Sequence, residues 1–208
     1  MNQRAVFIDR DGTISEEVGY INHQSRFRLF PYAAAAIKNL NEHGWLAIVT
    51  TNQAGVARGY FSEEMIQRVH AMMTKELESS GARLDAIYYC AHHPSLGDPP
   101  YRVDCDCRKP KPGLISRAAQ DFHINLAESW MVGDRYSDVE LARNAGVRSA
   151  FVMSGYGLGE WEHQRASWKQ EPDLIALNLL EAVEAIVSNA GKIPEFQDGK
   201  RGGQKFDR

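Results

Sequence analysis

Four apolar residues, Ala5-Val6-Phe7-Ile8, run directly into Asp9-Arg10-Asp11-Gly12-Thr13. Two of the four are β-branched, and the run reads as a short buried strand that stops where two carboxylates begin. Side chains alternate along an extended backbone, so Asp9 and Asp11 are expected on one face, with Arg10 pointing elsewhere and Gly12 letting the chain turn. Two like charges that close are costly unless a cation sits between them or one of them keeps its proton. Both remedies suit phosphoryl transfer, in which one aspartate attacks, a metal shields charge and the second aspartate moves protons. The same residue types are also ordinary in an Asx-type turn, so the rest of the chain has to decide.

The pattern of the first strand recurs. Pro31 and the Ala-rich stretch to about His43 read as a helix stopped by Gly44, and Trp45 to Thr50 as a second strand running into the polar loop Thr51-Asn52-Gln53-Ala54-Gly55. Ser62-Glu63-Glu64 opens a helix to about Ser79, and Ala86 to Tyr89 is a third strand. Beyond a long loop, Gly113 to about Asp121 is helical and Trp130 to Val132 is a fourth strand, ended by Gly133-Asp134. Ser137 or Asp138 caps a helix to Ala145, Arg148 to Val152 is a fifth strand, and Asp173 to about Ala190 reads as a last amphipathic helix. The stretch from Ser154 to Pro172 shows no recognisable pattern, and residues 191–208 read as a disordered tail. Alternating strands and helices predict an α/β fold, a doubly wound and mostly parallel sheet of order 3-2-1-4-5, within one domain spanning residues 1–190. Ligands of such sheets sit beyond the carboxyl ends of strands where the order reverses. Asp9, Thr51 and Asp134 all fall at such ends.

With 208 residues, 43% of them hydrophobic, the chain can bury a real core. A formal net charge of −3 argues against a general nucleic-acid binder. No apolar run is long enough to span a membrane and no signal peptide is visible, so the expectation is a cytoplasmic protein, a monomer, with a small-molecule partner and neither a nucleic-acid nor a membrane one.

A metal-assisted phosphatase requires few parts: an anionic nucleophile, a divalent ion, donors for the phosphate oxygens, a fixed cation and an acid for the leaving oxygen. Mg²⁺ suits a site of one or two carboxylates completed by phosphate and water, and Asp9 and Asp134 supply the carboxylates. Thr51 and Asn52 offer a hydroxyl and amide donors, and Lys109 neutralises charge shared between nucleophile and phosphoryl group. Asp11 then protonates a sugar alkoxide and afterwards takes a proton from water. Each residue taken alone also fits a turn, a cap or a solvated loop. Their joint placement at strand ends favours the site.

Three cysteines, an odd number, make no complete disulfide framework. Cys90-Ala91-His92 and Cys105-Asp106-Cys107 together form a Cys₃His set of the kind that holds structural Zn²⁺, with His93 as the competing ligand to His92. The loop between, with Gly97, Pro99 and Pro100, has little apolar content, and a closed ion would fold it and hold Arg108 and Lys109 over the crevice.

These residues together resemble the haloacid-dehalogenase (HAD) phosphatase superfamily, and within it the heptose-bisphosphate phosphatase branch, with the histidinol-phosphate phosphatases as relatives. The resemblance covers about Ala5 to Val152. It implies Asp9 as nucleophile, Asp11 as general acid/base, Thr51 as phosphate ligand and Lys109 as the residue steadying the phosphoryl group. It also implies Mg²⁺ on Asp9, the Asp11 carbonyl and Asp134, and Zn²⁺ on Cys90, His92, Cys105 and Cys107. Substrate contacts are implied for Glu17, Val18, Gly19 and Tyr20, for Asn52, Gln53 and Ala54, and for Arg108 and Arg135. Arg135 stands where a lysine is expected in relatives. The minimal cap of the family suits a small sugar bisphosphate, and the clustered cations Arg58, Arg108 and Arg135 fit a second phosphate better than the ammonium of histidinol phosphate. The expected activity is removal of the C7 phosphate of a heptose 1,7-bisphosphate on the route to nucleotide-activated heptose for surface polysaccharide. The alternatives are a histidinol-phosphate phosphatase and a non-catalytic, zinc-stabilised phosphosugar-binding module.

Overall fold

The computed structural model describes residues 3–188; the expected tail at 191–208 lies outside them. Six strands form one parallel sheet, β1 (Ala5–Ile8), β2 (Leu46–Asn52), β3 (Ala86–Cys90), β4 (Trp130–Gly133), β5 (Arg148–Val152) and β6 (Leu174–Ala176), in the order β3-β2-β1-β4-β5-β6. The expected order of the first five is observed. β1 is wholly buried because both faces of the sheet are covered. Val6 and Ile8 pack with α1 (Ala33–Glu42), α2 (Glu63–Ser79) and α6 (Leu179–Ser188), while Ala5 and Phe7 face α3 (Gly113–Phe122) and α4 (Tyr136–Ala145). On α1 the buried positions Ala33, Ala36, Ile37 and Leu40 follow the one-face spacing of an amphipathic helix.

β1 lies between β2 and β4, with Ile8 opposite both Val49 and Val132. The chain reverses its winding there, and the Asp9 N–H extends the ladder by donating to the Val132 carbonyl at 2.9 Å. Asp9 and Asp134 therefore emerge side by side.

Three sequence expectations need correction. β2 continues through Thr51 and Asn52, so both are strand residues rather than loop residues. The N-cap of α4 is Arg135, and Asp138 serves from inside the first turn by accepting from the Arg135 N–H at 3.2 Å. The last segment is a strand and then a helix: β6 precedes α6, with Asn178 Oδ1 accepting from the amides of Leu180 and Glu181 at 2.9 and 3.2 Å. A three-residue strand merges with the helical period behind it, and Asn178 was the local cap signal that separates them. The unassigned stretch before it holds α5 (Gly157–Gln164). Its Trp161 and Trp168 pack around Phe151 of β5. Among the described residues no helix is long and apolar enough to cross a membrane.

Candidate active site

Asp9 is 6% exposed, and its Oδ1 lies 2.8 Å from Lys109 Nζ. The same ammonium pairs with Asp138 Oδ1 at 2.7 Å and donates to the Thr50 carbonyl at 3.2 Å. Burial works against the lysine charge, but the carboxylates of Asp138 and Asp9 outweigh it and hold the ammonium protonated well above the ordinary lysine range. Asp9 shows the reverse balance. Burial, reinforced by Asp138, raises its carboxyl from the ordinary 3.8 to about 7 despite the Lys109 contact. Asp134 is pushed up as well, by burial and then by Asp9.

Carboxylate oxygens of Asp9, Asp134 and Asp138 lie within 4.8 Å of one another. Asp134 is fully buried; its Oδ2 accepts from the Tyr156 N–H at 2.8 Å, while its Oδ1 has no hydrogen-bond partner among the described residues. An orphaned buried carboxylate oxygen beside a second carboxylate is what a divalent cation would complete. Gly12, at φ +84°, passes so close that a Cβ there would collide with the Asp134 carboxylate. Asp138 already gives one oxygen to Lys109 and the other to the Arg135 amide, so it positions the lysine.

Arg10 does not point away. Its side chain is 2% exposed and turns back to grip Asp11 with two hydrogen bonds, Nε to Oδ1 at 3.0 Å and Nη2 to Oδ2 at 2.8 Å. Its Nη1 donates to His70 Nε2 at 3.1 Å. Burial, then the adjacent guanidinium, lowers the His70 pKa to about 3, so this imidazole is a neutral acceptor at working pH. Gln53 Nε2 adds a hydrogen bond to Asp11 Oδ2 at 2.8 Å and another to Thr51 Oγ1 at 2.9 Å. The Asp11 carboxylate is thus held by two hydrogen bonds from Arg10 and one from Gln53.

A cavity of about 550 Å³ opens above these groups, with Asp9, Asp11, Thr51 and Lys109 at its floor. Glu17, Gly19, Tyr20, Gln53 and Ala54 line it as expected, and Arg108 and Arg135 supply cations. Two expected contacts are displaced. Val18 packs against the core and its carbonyl accepts from Arg26 Nη2 at 2.8 Å. Arg58 is exposed and outside the lining. Asn52 borders the cavity, but its side chain clamps the Lys109 backbone, Oδ1 taking the amide at 3.1 Å and Nδ2 reaching the carbonyl at 3.3 Å.

Beside the cavity, ligand atoms of Cys90, His92, Cys105 and Cys107 lie within 4.8 Å of one another. The three sulfurs are 3.2 to 3.5 Å apart, and His92 Nδ1 is 3.3 Å from Cys107 Sγ. Burial raises the Cys90 thiol, whereas hydrogen bonds from Cys107 and Cys90 outweigh burial at Cys105 and lower it to about 7. His93 lies outside the cluster, and its Nδ1 accepts the backbone amides of Ser95 and Leu96. Arg108 Nη1 donates to the His92 carbonyl at 3.2 Å, so the cluster and the substrate-facing arginine share a strap.

Comparison with known proteins agrees with this geometry. A HAD-hydrolase-like family model matches residues 106–182. A D-glycero-beta-D-manno-heptose-1,7-bisphosphate 7-phosphatase of Haemophilus ducreyi is 39% identical over 185 residues, covering 88% of this chain and 98% of its own. The chain belongs to the heptose-bisphosphate 7-phosphatase family of HAD-like hydrolases. Another member, the D-glycero-D-manno-heptose-1,7-bisphosphate 7-phosphatase of Thermosynechococcus vestitus, is 40% identical over 198 residues, covering 91% of this chain and 98% of its own. Among solved structures, the D,D-heptose 1,7-bisphosphate phosphatase from B. bronchiseptica, complexed with magnesium and phosphate, superposes with a TM-score of 0.80 at 27% identity, covering 89% of this chain and 99% of that one.

As a member of that family the chain is a phosphoric monoester hydrolase with a HAD-like, mostly parallel α/β fold. Sequence reading missed Asp138 as the partner of Lys109, the Arg10–His70 brace behind Asp11, and Glu160 with Tyr156 on the cavity wall. Only Asp138 carried a local signal, its place four residues after Asp134.

Proposed function

We propose that this family member removes the C7 phosphate of D-glycero-D-manno-heptose 1,7-bisphosphate and leaves the heptose 1-phosphate used to make nucleotide-activated heptose. The observation that carries the reading is the floor of the cavity, where Asp9 and Asp134 lie beside a buried lysine beneath the arginines of the rim. Mg²⁺, when bound to Asp9, the Asp11 carbonyl and Asp134, would supply charge shielding for the transferred phosphoryl group. The Asp9 carboxylate attacks phosphorus and becomes an aspartyl phosphate. Thr51 and Lys109 donate to the phosphoryl oxygens, with Lys109 kept in place by Asp138 and by the Asn52 clamp on its backbone. Asp11 gives its proton to the departing C7 alkoxide and then takes one from the water that hydrolyses the acyl phosphate. Arg108 and Arg135 meet the phosphate that is retained.

The test is phosphate release from both anomers of the heptose bisphosphate, with histidinol phosphate as control, with and without Mg²⁺. Metal-dependent release with a kcat/KM at least about 100-fold above the control is expected, a margin of about 2.7 kcal/mol in transition-state binding. Preference for the amine-bearing ester would overturn the assignment.

The same reading places structural Zn²⁺ on Cys90, His92, Cys105 and Cys107. Their convergence supports it, since four protein donors leave no open position for chemistry. Equimolar zinc is expected by elemental analysis and is expected to vanish in Cys107→Ser. That variant should lose about 5 °C or more in unfolding temperature, equivalent to about 2 kcal/mol for a chain of this size. A metal-free native protein of undiminished stability would sink the idea.

A further inference from the structure

Part of the cavity wall, with Glu160 and Gln164, comes from α5, in the segment whose role the sequence left open. Glu160 of that helix is 7% exposed, and each of its carboxylate oxygens has a partner. Oε1 accepts from Arg135 Nε at 3.1 Å, and Oε2 accepts from the Tyr136 amide at 2.7 Å. The Arg135 guanidinium also lies over the Tyr156 ring, 4.6 Å from its centroid. It is therefore held along one edge and across one face, and its terminal NH₂ groups hydrogen-bond to no described residue. The arginine is half-exposed on the cavity lining. The holder is itself braced: the Tyr156 amide is bound by Asp134, and the Tyr136 ring stacks on Trp168 with centroids 4.7 Å apart.

A surface arginine has many rotamers to lose when it grips an anion, and a fixed one has fewer. We propose that Glu160 and Tyr156 are positioning residues that preset Arg135 for the phosphate the enzyme retains, so that α5 sets the preference for a bisphosphate over a monoester. This rests on the reading of the substrate given above. The sign of the effect separates positioning from simple charge balance. A buried carboxylate beside the rim repels a phosphate, so removing it without any positioning role would tighten anion binding. Loss of a positioning contact weakens it.

Heptose 1,7-bisphosphate and heptose 7-phosphate share the phosphate that is cleaved and differ in the one that is kept. The unmodified enzyme should show the lower KM for the bisphosphate. In Glu160→Gln that KM is expected to rise 5- to 20-fold, with kcat within twofold and the monophosphate KM unchanged. Tyr156→Leu should move the same parameter in the same direction, and Tyr156→Phe, which keeps the ring, should restore it. Arg135→Ala combined with Glu160→Gln should be no worse than Arg135→Ala alone. A bisphosphate KM that falls or stays level in Glu160→Gln overturns the proposal, as does an equal rise for both substrates. If Glu160→Gln does not fold, the Tyr156 pair decides alone: equal KM values in Leu and Phe overturn it. An unmodified enzyme that treats the two substrates alike would instead indict the substrate assignment.

Discussion

Lys109→Met is expected to lose about 3–5 kcal/mol of stability at pH 8 in the absence of metal, together with at least about 10³-fold in turnover. Methionine keeps an unbranched side chain, one heavy atom shorter than that of lysine, and lacks its charge and its N–H donors. The ammonium pairs with Asp9 and Asp138 and donates to the Thr50 carbonyl, and the lysine is 6% exposed. No other cation is recorded in an ion pair with Asp9 or Asp138 among the described residues. Without it, two buried carboxylates face each other across a site that also contains Asp134. Breaking one side of a buried charge network leaves the remaining charges uncompensated, which costs more than the network was worth. Thermal unfolding in chelator should show a fall of roughly 10 °C for a chain of this size. The fall should shrink at pH 5, where Asp9 takes up its proton. A Lys109→Met protein as stable as its parent at pH 8 would mean that water already compensates these carboxylates.

The residues that make this network differ in how far the sequence alone reveals them. Asp9, Thr51 and Asp134 were legible because each follows an apolar run, and in a parallel sheet the end of a run is the end of a strand. Lys109 was legible through its place beside the cysteine pair. Arg10 was not. Alternation along a strand sends it away from Asp11, but β1 ends at Ile8 and Arg10 already lies in the turn that continues through Gly12. What then fixes the guanidinium is His70, 60 residues away on α2. Asn52 fails similarly: its residue type fits a phosphate donor, yet it is spent on the backbone of Lys109, 57 positions on. Glu160 had no local mark at all. A glutamate in the first turn of a helix reads as a favourable dipole partner, and only the approach of α5 to the start of α4 gives it Arg135 and the Tyr136 amide. Local pattern thus located the reacting atoms, while the groups that hold them came from contacts between distant elements.

The complementary substitution, Asp9→Asn, is expected to abolish turnover by roughly 10⁴-fold or more while making the metal-free protein more stable at pH 8. The loss follows from removing the nucleophile, for which an amide is no substitute. The gain follows from crowding. Asp9 titrates near 7 instead of 3.8 because burial and the Asp138 charge oppose its ionisation. A carboxyl raised in the folded state binds its proton more tightly there than in the unfolded chain. Its contribution to stability is complete below about pH 4 and is lost as pH rises through 7, so the metal-free parent weakens across that window. Asparagine keeps an oxygen for the Arg10 amide and for Lys109 and carries no charge to desolvate. Unfolding temperatures in chelator should therefore coincide for the two proteins near pH 4, diverge as pH rises from 4 through 7 and stay apart above it, with the variant ahead by about 1–2 kcal/mol at pH 8. Added Mg²⁺ should reverse that order, because ligand binding stabilises the protein that binds it more tightly and the variant has lost a metal-facing carboxylate. An Asp9→Asn protein less stable than its parent in chelator at pH 8 would show that the carboxylate crowding at these strand ends carries no cost, and with it would go the reason for a cation between Asp9 and Asp134.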